Sequence, residues 1–192
     1  PTRFTDYLGD DMFAGTAHGH RFVFSEVDAH NTPRVASFLG LRPRMSPMRV
    51  FKGLFFVIER DDTVEGEVYV VPDIAQGFLG ARRGSSHDGR GEPVSLGNGR
   101  FARYFSVYET VAGTASTLIS GGLRDKLVTY RETMCQPAYV SLRGNKAFLA
   151  LGRRKSLFEP AAFRSVLKLE AVADHYRDLS VALDMVTVLA SD

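Results

Sequence analysis

Apolar and polar positions alternate with a period of two through much of the first 110 residues, and two later stretches switch to a helical period. The densest apolar run is Val50 to Asp73, VFKGLFFVIERDDTVEGEVYVVPD. Its first half sets Phe51, Phe55 and Val57 on one side and Leu54, Phe56 and Ile58 on the other, because strand side chains alternate. A strand apolar on both sides is expected in the middle of a sheet covered twice, by helices or by a second sheet. Gly53 interrupts the pattern and marks a bulge or a close backbone approach. Arg60 to Thr63 is polar and turn-prone, which predicts a hairpin whose return strand, Glu65 to Val71, pairs with the first and stops at Pro72.

Asp11 to His30 reads as two strands joined near His18-Gly19-His20, with Gly15 as a bulge or bend. Phe22 and Phe24 share one face of the second strand, Val23 and Val27 the other. Asn31 to Arg49 holds three prolines and Arg34, Arg42, Arg44 and Arg49, the pattern of a long surface loop. Ile74 to Leu79 has room for one helical turn. Arg82 to Pro93, RRGSSHDGRGEP, has almost nothing to bury and is expected to be a flexible loop. Val94 to Leu96 and Arg103 to Glu109 are predicted to be extended, the latter with Tyr104, Ser106 and Tyr108 opposite Phe105 and Val107.

From Ser120 the period changes. Leu123, Leu127, Tyr130 and Met134 line one side of a helix, with Ser120 as N-cap. Ala138 to Leu151 predicts a second hairpin, turning at Arg143-Gly144-Asn145. Ser156 and Glu159 have capping-box spacing, and Pro160 suits a first helical turn. A helix of roughly 25 to 29 residues should follow to about Leu189, striped by Phe163, Val166, Leu167, Val172, Tyr176, Leu179, Leu183 and Val186. Leu169, Val181, Met185 and Val188 lie off that stripe, so this helix sits deep between layers or offers its end to a partner. Strands followed by helices define an α+β class: a mainly antiparallel sheet built from hairpins, one mid-chain helix and one long C-terminal helix. The expected organisation is a single domain over 1–192, with lobes 1–81 and 94–192 on either side of the loop 82–93.

At 192 residues, with 44% apolar and 24% charged residues, the chain can bury a substantial core. The net charge of +2 is too small to argue for nucleic acid, and no nucleic-acid partner is expected. The single cysteine, Cys135, excludes an intrachain disulfide framework and a Cys-rich zinc module. No run reaches the ~18 to 20 apolar residues of a membrane helix, and no signal peptide opens the chain, so it is expected to be soluble as it stands. It starts at Pro1 and enters a domain-like pattern at once, which suggests a fragment with room for anchors upstream.

Five short motifs in this order carry a resemblance: Phe24-Ser25-Glu26-Val27; Phe51-Lys52-Gly53-Leu54-Phe55-Phe56-Val57; Val71-Pro72-Asp73; Tyr104-Phe105-Ser106-Val107-Tyr108; and Leu157-Phe158-Glu159-Pro160. The chain thereby resembles the bacterial domain-of-unknown-function family 3137 from about Asp11 to the last helix. The resemblance implies a soluble, cytoplasmic C-terminal domain that follows a pair of N-terminal membrane helices. It implies no activity, ligand or catalytic residue. Gly121-Gly122 depart from the family's habit of opening the mid-chain helix with Pro after a Thr or Ser cap, and the Asn31 to Arg49 insert is this chain's own.

Candidate chemistry is sparse. His18 and His20 would share a strand face, as a metal pair needs, but no third ligand stands at a suitable spacing. Glu26, Asp28 and His30 share a face that could move a proton. Cys135 and His175 lack an orienting third group. Gly84 to Gly91 neither follows a clear strand nor opens a helix with a P-loop lysine. Neither a metal nor a cofactor is expected, and no catalytic residue is assigned. Glu26, Lys52 and Asp73 are charged residues inside apolar motifs, and with His18 and His20 they make up the candidate binding residues; Lys52 and Gly53 are the positions that core burial explains least. The arginines at 34, 42, 44 and 49 could meet an anionic membrane surface. The first reading is therefore a non-catalytic, membrane-proximal binding or scaffold domain. Its partner would be a protein or the membrane surface, and the C-terminal helix is the surface a homo-oligomer would use. The competing reading is a small-ligand binder or enzyme with its site between the hairpins and the last helix, gathering Glu26, Lys52, Asp73 and His20 in one polar pocket.

Overall fold

In the computed structural model the residues described are 6–17, 19–31, 47–73, 91–97, 99–154 and 169–191. The elements run β1 (Asp6–Ala17), β2 (His20–Asn31), β3 (Met48–Pro72), β4 (Glu92–Val94), α1 (Arg100–Tyr104), β5 (Phe105–Glu109), α2 (Thr114–Leu118), α3 (Gly121–Met134), β6 (Ala138–Gly152) and α4 (Leu169–Ser191). The strands form one antiparallel sheet of order β1-β2-β3-β5-β4, with β6 pairing to β3. The α+β class read from the pattern is the class observed.

The two expected hairpins at Val50–Asp73 and Ala138–Leu151 are instead two long strands that pair with each other. β3 runs unbroken through Arg60-Asp61-Asp62-Thr63, and β6 runs through Arg143-Gly144-Asn145. Their polar interruptions face one another: the ladder is regular from Gly53↔Gly152 to Glu59↔Lys146, shifts register, touches at Val64↔Gly144, and resumes from Glu67↔Arg143 to Val70↔Val140. Each interruption is thus a bulged excursion within a ladder rather than a chain reversal. A polar cluster between two apolar runs fits either outcome, and the partner strand decided between them.

One face of the sheet carries the core. Leu54, Phe56, Ile58, Val68 and Val70 of β3, Val140, Leu142, Leu149 and Leu151 of β6, and Phe105 and Val107 of β5 are buried together with Leu118, Leu123, Leu127, Met185 and Leu189 from the helices. The opposite face is half-buried, not covered as its apolar pattern led us to expect: Phe51, Val57, Tyr69, Tyr139 and Phe148 are intermediate and Phe55 is exposed. Its rings pair among themselves, Phe55 stacking on Phe148 at 6.3 Å and Phe51 meeting Tyr139 edge-on at 6.1 Å. An antiparallel sheet tolerates one such face.

Several local expectations are met and others corrected. The β1–β2 hairpin forms as read, although its bulge lies between Asp10 and Met12 and not at Gly15. Gly15 lies under the Phe22 ring, whose tip would stand 2.9 Å from a Cβ there and would have to shift. Ser120 Oγ accepts the Leu123 N–H at 3.1 Å and caps α3, which starts at Gly121 despite the two glycines. Arg103 and Tyr104 belong to the short α1 and not to the strand that follows. Glu92 and Pro93, the last two residues of the expected loop, lie instead in β4; residues 82–90 of that loop, the 74–79 turn, most of the 31–49 insert and the capping box at 156–159 lie outside the described residues. Among the α4 residues whose side chains are described, 179–190, the buried ones are Ala182, Met185, Val186, Leu189 and Ala190; Val186 belongs to the expected stripe, Met185 was placed off it, and Leu179 and Leu183 are only half-buried, while the stripe positions before 179 lie outside the described side chains.

Gly53 is the closest approach in the sheet: a Cβ there would lie 2.0 Å from the Leu151 carbonyl oxygen. Gly53→Ala must therefore push β3 and β6 apart at their shared end. It should cost about 1–3 kcal/mol in denaturant unfolding, whereas Gly122→Ala, which meets nothing closer than 3.8 Å, should be neutral or stabilising by up to about 1 kcal/mol.

Candidate functional site

Among the described residues the core face contains three buried charged residues, and two of them fasten helices. Arg60 stands in the β3 excursion with its side chain 1% exposed. Its Nε and Nη2 donate to Asp62 Oδ1 and Oδ2 at 2.8 and 3.0 Å, and its Nη1 donates to the Leu189 carbonyl at 2.6 Å, in the last turn of α4. A cation at a helix C-terminus satisfies an otherwise orphaned carbonyl and the negative end of the helix dipole. Glu109, at the end of β5, accepts the Gly113 and Ala115 N–H groups at 2.8 Å each and so caps α2 from outside the helix. Glu26, the third, is buried in β2 opposite Leu54.

The candidate residues do not converge. His18 lies outside the described residues. His20 opens β2 at the end of the sheet near Asp61, with its Nδ1 3.8 Å from Asp61 Oδ1. Lys52 lies towards the opposite end, paired with Asp28 across β2–β3. Asp73 follows the far end of β3, where its N–H donates to the Tyr104 carbonyl at 2.8 Å and the residue borders a separate cleft with Phe105, Ser106 and Tyr108. In the Glu26-Asp28-His30 row, Asp28 Oδ1 accepts from Arg49 Nε at 2.8 Å and lies 3.5 Å from His30 Nε2, so the carboxylate is engaged by a cation. Cys135 is exposed at the C-cap of α3, its Sγ 3.7 Å from the Glu132 carbonyl oxygen. No cluster of three metal-ligating side chains exists among the described residues.

What the fold does assemble is a basic groove of about 340 Å³ at the Lys52 end of the sheet. Arg49, Val50, Phe51 and Lys52 come from the start of β3, Gln136 and Pro137 from the link between α3 and β6, and Arg153 and Arg154 from the residues after β6. Its base is fixed by backbone hydrogen bonds. Arg153 N–H donates to the Lys52 carbonyl at 2.8 Å, Gly152 N–H donates to the Pro137 carbonyl at 2.8 Å, and the buried Tyr130 hydroxyl donates to the Gly152 carbonyl at 2.6 Å. The close approach at Gly53 holds Lys52 beside Arg153. Lys52 was legible as a charge that core burial does not explain; Arg153 and Arg154 were not, because only the Gly53↔Gly152 register brings them to it.

The same end of the sheet presents apolar side chains. Asp6 of β1 pairs with His30, and His30 pairs with Arg49, so the first residues of β1 lie at the same end of the sheet as the start of β3, with β2 between them. There Tyr7, Leu8 and Met48 are 61%, 69% and 64% exposed. Cations and exposed apolar side chains thus share one end of the molecule, where the N-terminal strand begins. Among the described residues no helix is long and apolar enough to cross a membrane.

Comparison with known proteins places this sheet in a family without assigning it a role. The model of a protein family of unknown function, DUF3137, matches residues 49–190, and the chain belongs to that family. The match takes in β3, the basic groove and α4, and leaves the β1–β2 hairpin outside. A search of curated proteins finds no match. Among solved structures, the crystal structure of the mycobacterial trehalose monomycolate transport factor A, TtfA, is similar with 12% identity and a TM-score of 0.40, over 94% of this chain and 74% of that one. A likeness that distant carries no argument about function.

The Arg60 fastening can be tested by titration. Hydrogen bonds from Arg60 hold the Asp62 carboxyl below its ordinary value of 3.8, with burial opposing the shift in part. A carboxyl depressed in the folded state contributes stability that is complete above its unfolded value and is lost as pH falls through the folded one. Asp62→Asn should flatten the acid limb of the stability curve below about pH 4, read as unfolding midpoints against pH. Arg60→Met, which orphans the Leu189 carbonyl, should cost about 2 kcal/mol near neutral pH.

Proposed function

We propose that this is a non-catalytic, membrane-proximal binding domain that lays its basic end against an anionic membrane surface. The observation that carries the reading is the company Arg49, Lys52, Arg153 and Arg154 keep: one groove, beside exposed Tyr7, Leu8 and Met48, at the end where the N-terminal strand starts. Basic side chains near an anionic leaflet contribute about 1 kcal/mol each, and apolar side chains beside them can enter the headgroup layer. A chain anchored upstream would bring this end to the membrane first. The scatter of Glu26, His20, Lys52 and Asp73 over separate parts of the sheet favours binding over catalysis, since acid–base chemistry needs its groups within hydrogen-bond reach.

The chain should cosediment with vesicles containing anionic lipid, lose that binding as salt is raised, and ignore neutral vesicles. Arg153→Ala with Arg154→Ala removes two of the four cations and should weaken partitioning about 30-fold. Equal partitioning of the double variant and the parent chain, or equal binding to neutral vesicles, would rule the reading out.

A further inference from the structure

The apolar side chains at the basic end stand in positions that a charged surface alone does not require, and how they would meet a bilayer deepens the membrane-binding reading on which this inference rests. Among the described residues, five of the seven large apolar side chains that stand exposed belong to β1 or to the first residue of β3. Exposed apolar clusters of this kind mark contact surfaces. Three of the five, Tyr7, Leu8 and Met48, lie at the end of the sheet that carries Arg49 and Lys52. Tyr7 and Leu8 are neighbours on an edge strand, so their side chains leave it on opposite faces. A folded partner or a second copy of this chain, docked on one face of the sheet, would cover one of them and leave the other in water. A lipid layer closes around an edge from both sides, which suits this placement.

The register sets an order of depth. Leu8 pairs with Asp28 and Asp28 with Lys52, so the three form one row across β1, β2 and β3. Met48 lies beyond that row toward the end of the sheet, by roughly 10 Å at the rise of a strand. Met12, 79% exposed, lies on the other side of the row, opposite Ser25. We propose that the domain stands end-on in an anionic bilayer, with Met48 below the headgroups, Tyr7 and Leu8 among them and Met12 left in water. Amphipathic elements reach about 5–10 Å into this boundary, a depth comparable with the distance from the row to the tip. At that depth Asp28 enters with Arg49 bonded to it at 2.8 Å, as an ion pair and not as a bare carboxylate. The cations bring the domain to the leaflet and the apolar side chains lengthen its stay, so binding still falls as salt is raised.

The chain has no tryptophan, so single-tryptophan variants report their surroundings without background. Met48→Trp, Leu8→Trp and Met12→Trp are each mixed with phosphatidylglycerol vesicles at low salt, and their emission and its quenching by brominated acyl chains are recorded. Blue shift and quenching should be largest for Met48→Trp, smaller for Leu8→Trp and absent for Met12→Trp. In cosedimentation, Met48→Ser should weaken partitioning about tenfold and Leu8→Ser about threefold. Both side chains are exposed, so neither change opens the core. Vesicle binding with unshifted emission from both Met48→Trp and Leu8→Trp would overturn insertion and leave the electrostatic membrane reading standing. A shift for Met12→Trp equal to that for Met48→Trp would overturn the end-on placement. Absence of binding to anionic vesicles would overturn the membrane reading and the insertion with it.

Discussion

The pairing of β3 with β6 is the constraint on which the rest of the molecule depends. β3 is the hub: β2 and β6 flank its first half, β5 and β6 its second, and no other described strand touches three partners. Its alternate residues Leu54, Phe56, Ile58, Val68 and Val70 supply the floor on which α2 and α4 rest, while α3 packs against β6 and α4 in the same core. The ladder closes most tightly where Gly53 passes the Leu151 carbonyl, a contact only a residue without a Cβ can make. Because that contact lies at the groove end, the backbone that organises the core also sets the spacing of Lys52 and Arg153.

Charge has two separate jobs in this architecture. On the core face it fastens: Arg60 reaches out of the β3 excursion to the last turn of α4, and Glu109 caps α2, so that two helices are held by side chains of the sheet. A buried arginine is tolerable there because Asp62 and the Leu189 carbonyl replace the water it gives up. At the groove end four cations stand together at the edge of the sheet, where contact with solvent makes like charge cheap, and Asp28 bonds Arg49 from the neighbouring strand.

The two ends of the sheet therefore differ in kind. Near His20 and Asp61, opposite signs meet across the strands. Near Arg49 and Arg153, one sign predominates beside exposed apolar side chains. The open second face, with its aromatic pairs at Phe51–Tyr139 and Phe55–Phe148, runs from the groove along the sheet. Polarity along the molecule, rather than a central cleft, is the feature from which a binding role is read.

Period and capping chemistry are local, and the sequence settled what is local. The α+β class, the β1–β2 hairpin, the Ser120 cap and the buried side of α3 follow from alternation, turn residues and a hydroxyl three residues ahead of an N–H, all within one element's span. The family was legible for the same reason, since Phe-Lys-Gly-Leu-Phe-Phe is a contiguous run of the hub strand, with Leu54 and Phe56 in the core. Tertiary structure decided what depends on a distant partner. Arg60-Asp61-Asp62-Thr63 became an excursion and not a turn because β6 continues beside it. The apolar second face of β3 stayed half-open because the described helices all cover the other side. Met185, off the stripe read from the sequence, is buried at the C-terminal end of α4. Arg153 and Arg154 gained meaning only when register placed them beside Lys52, far earlier in the chain, because a strand's neighbours are chosen by the whole sheet and not by its own pattern.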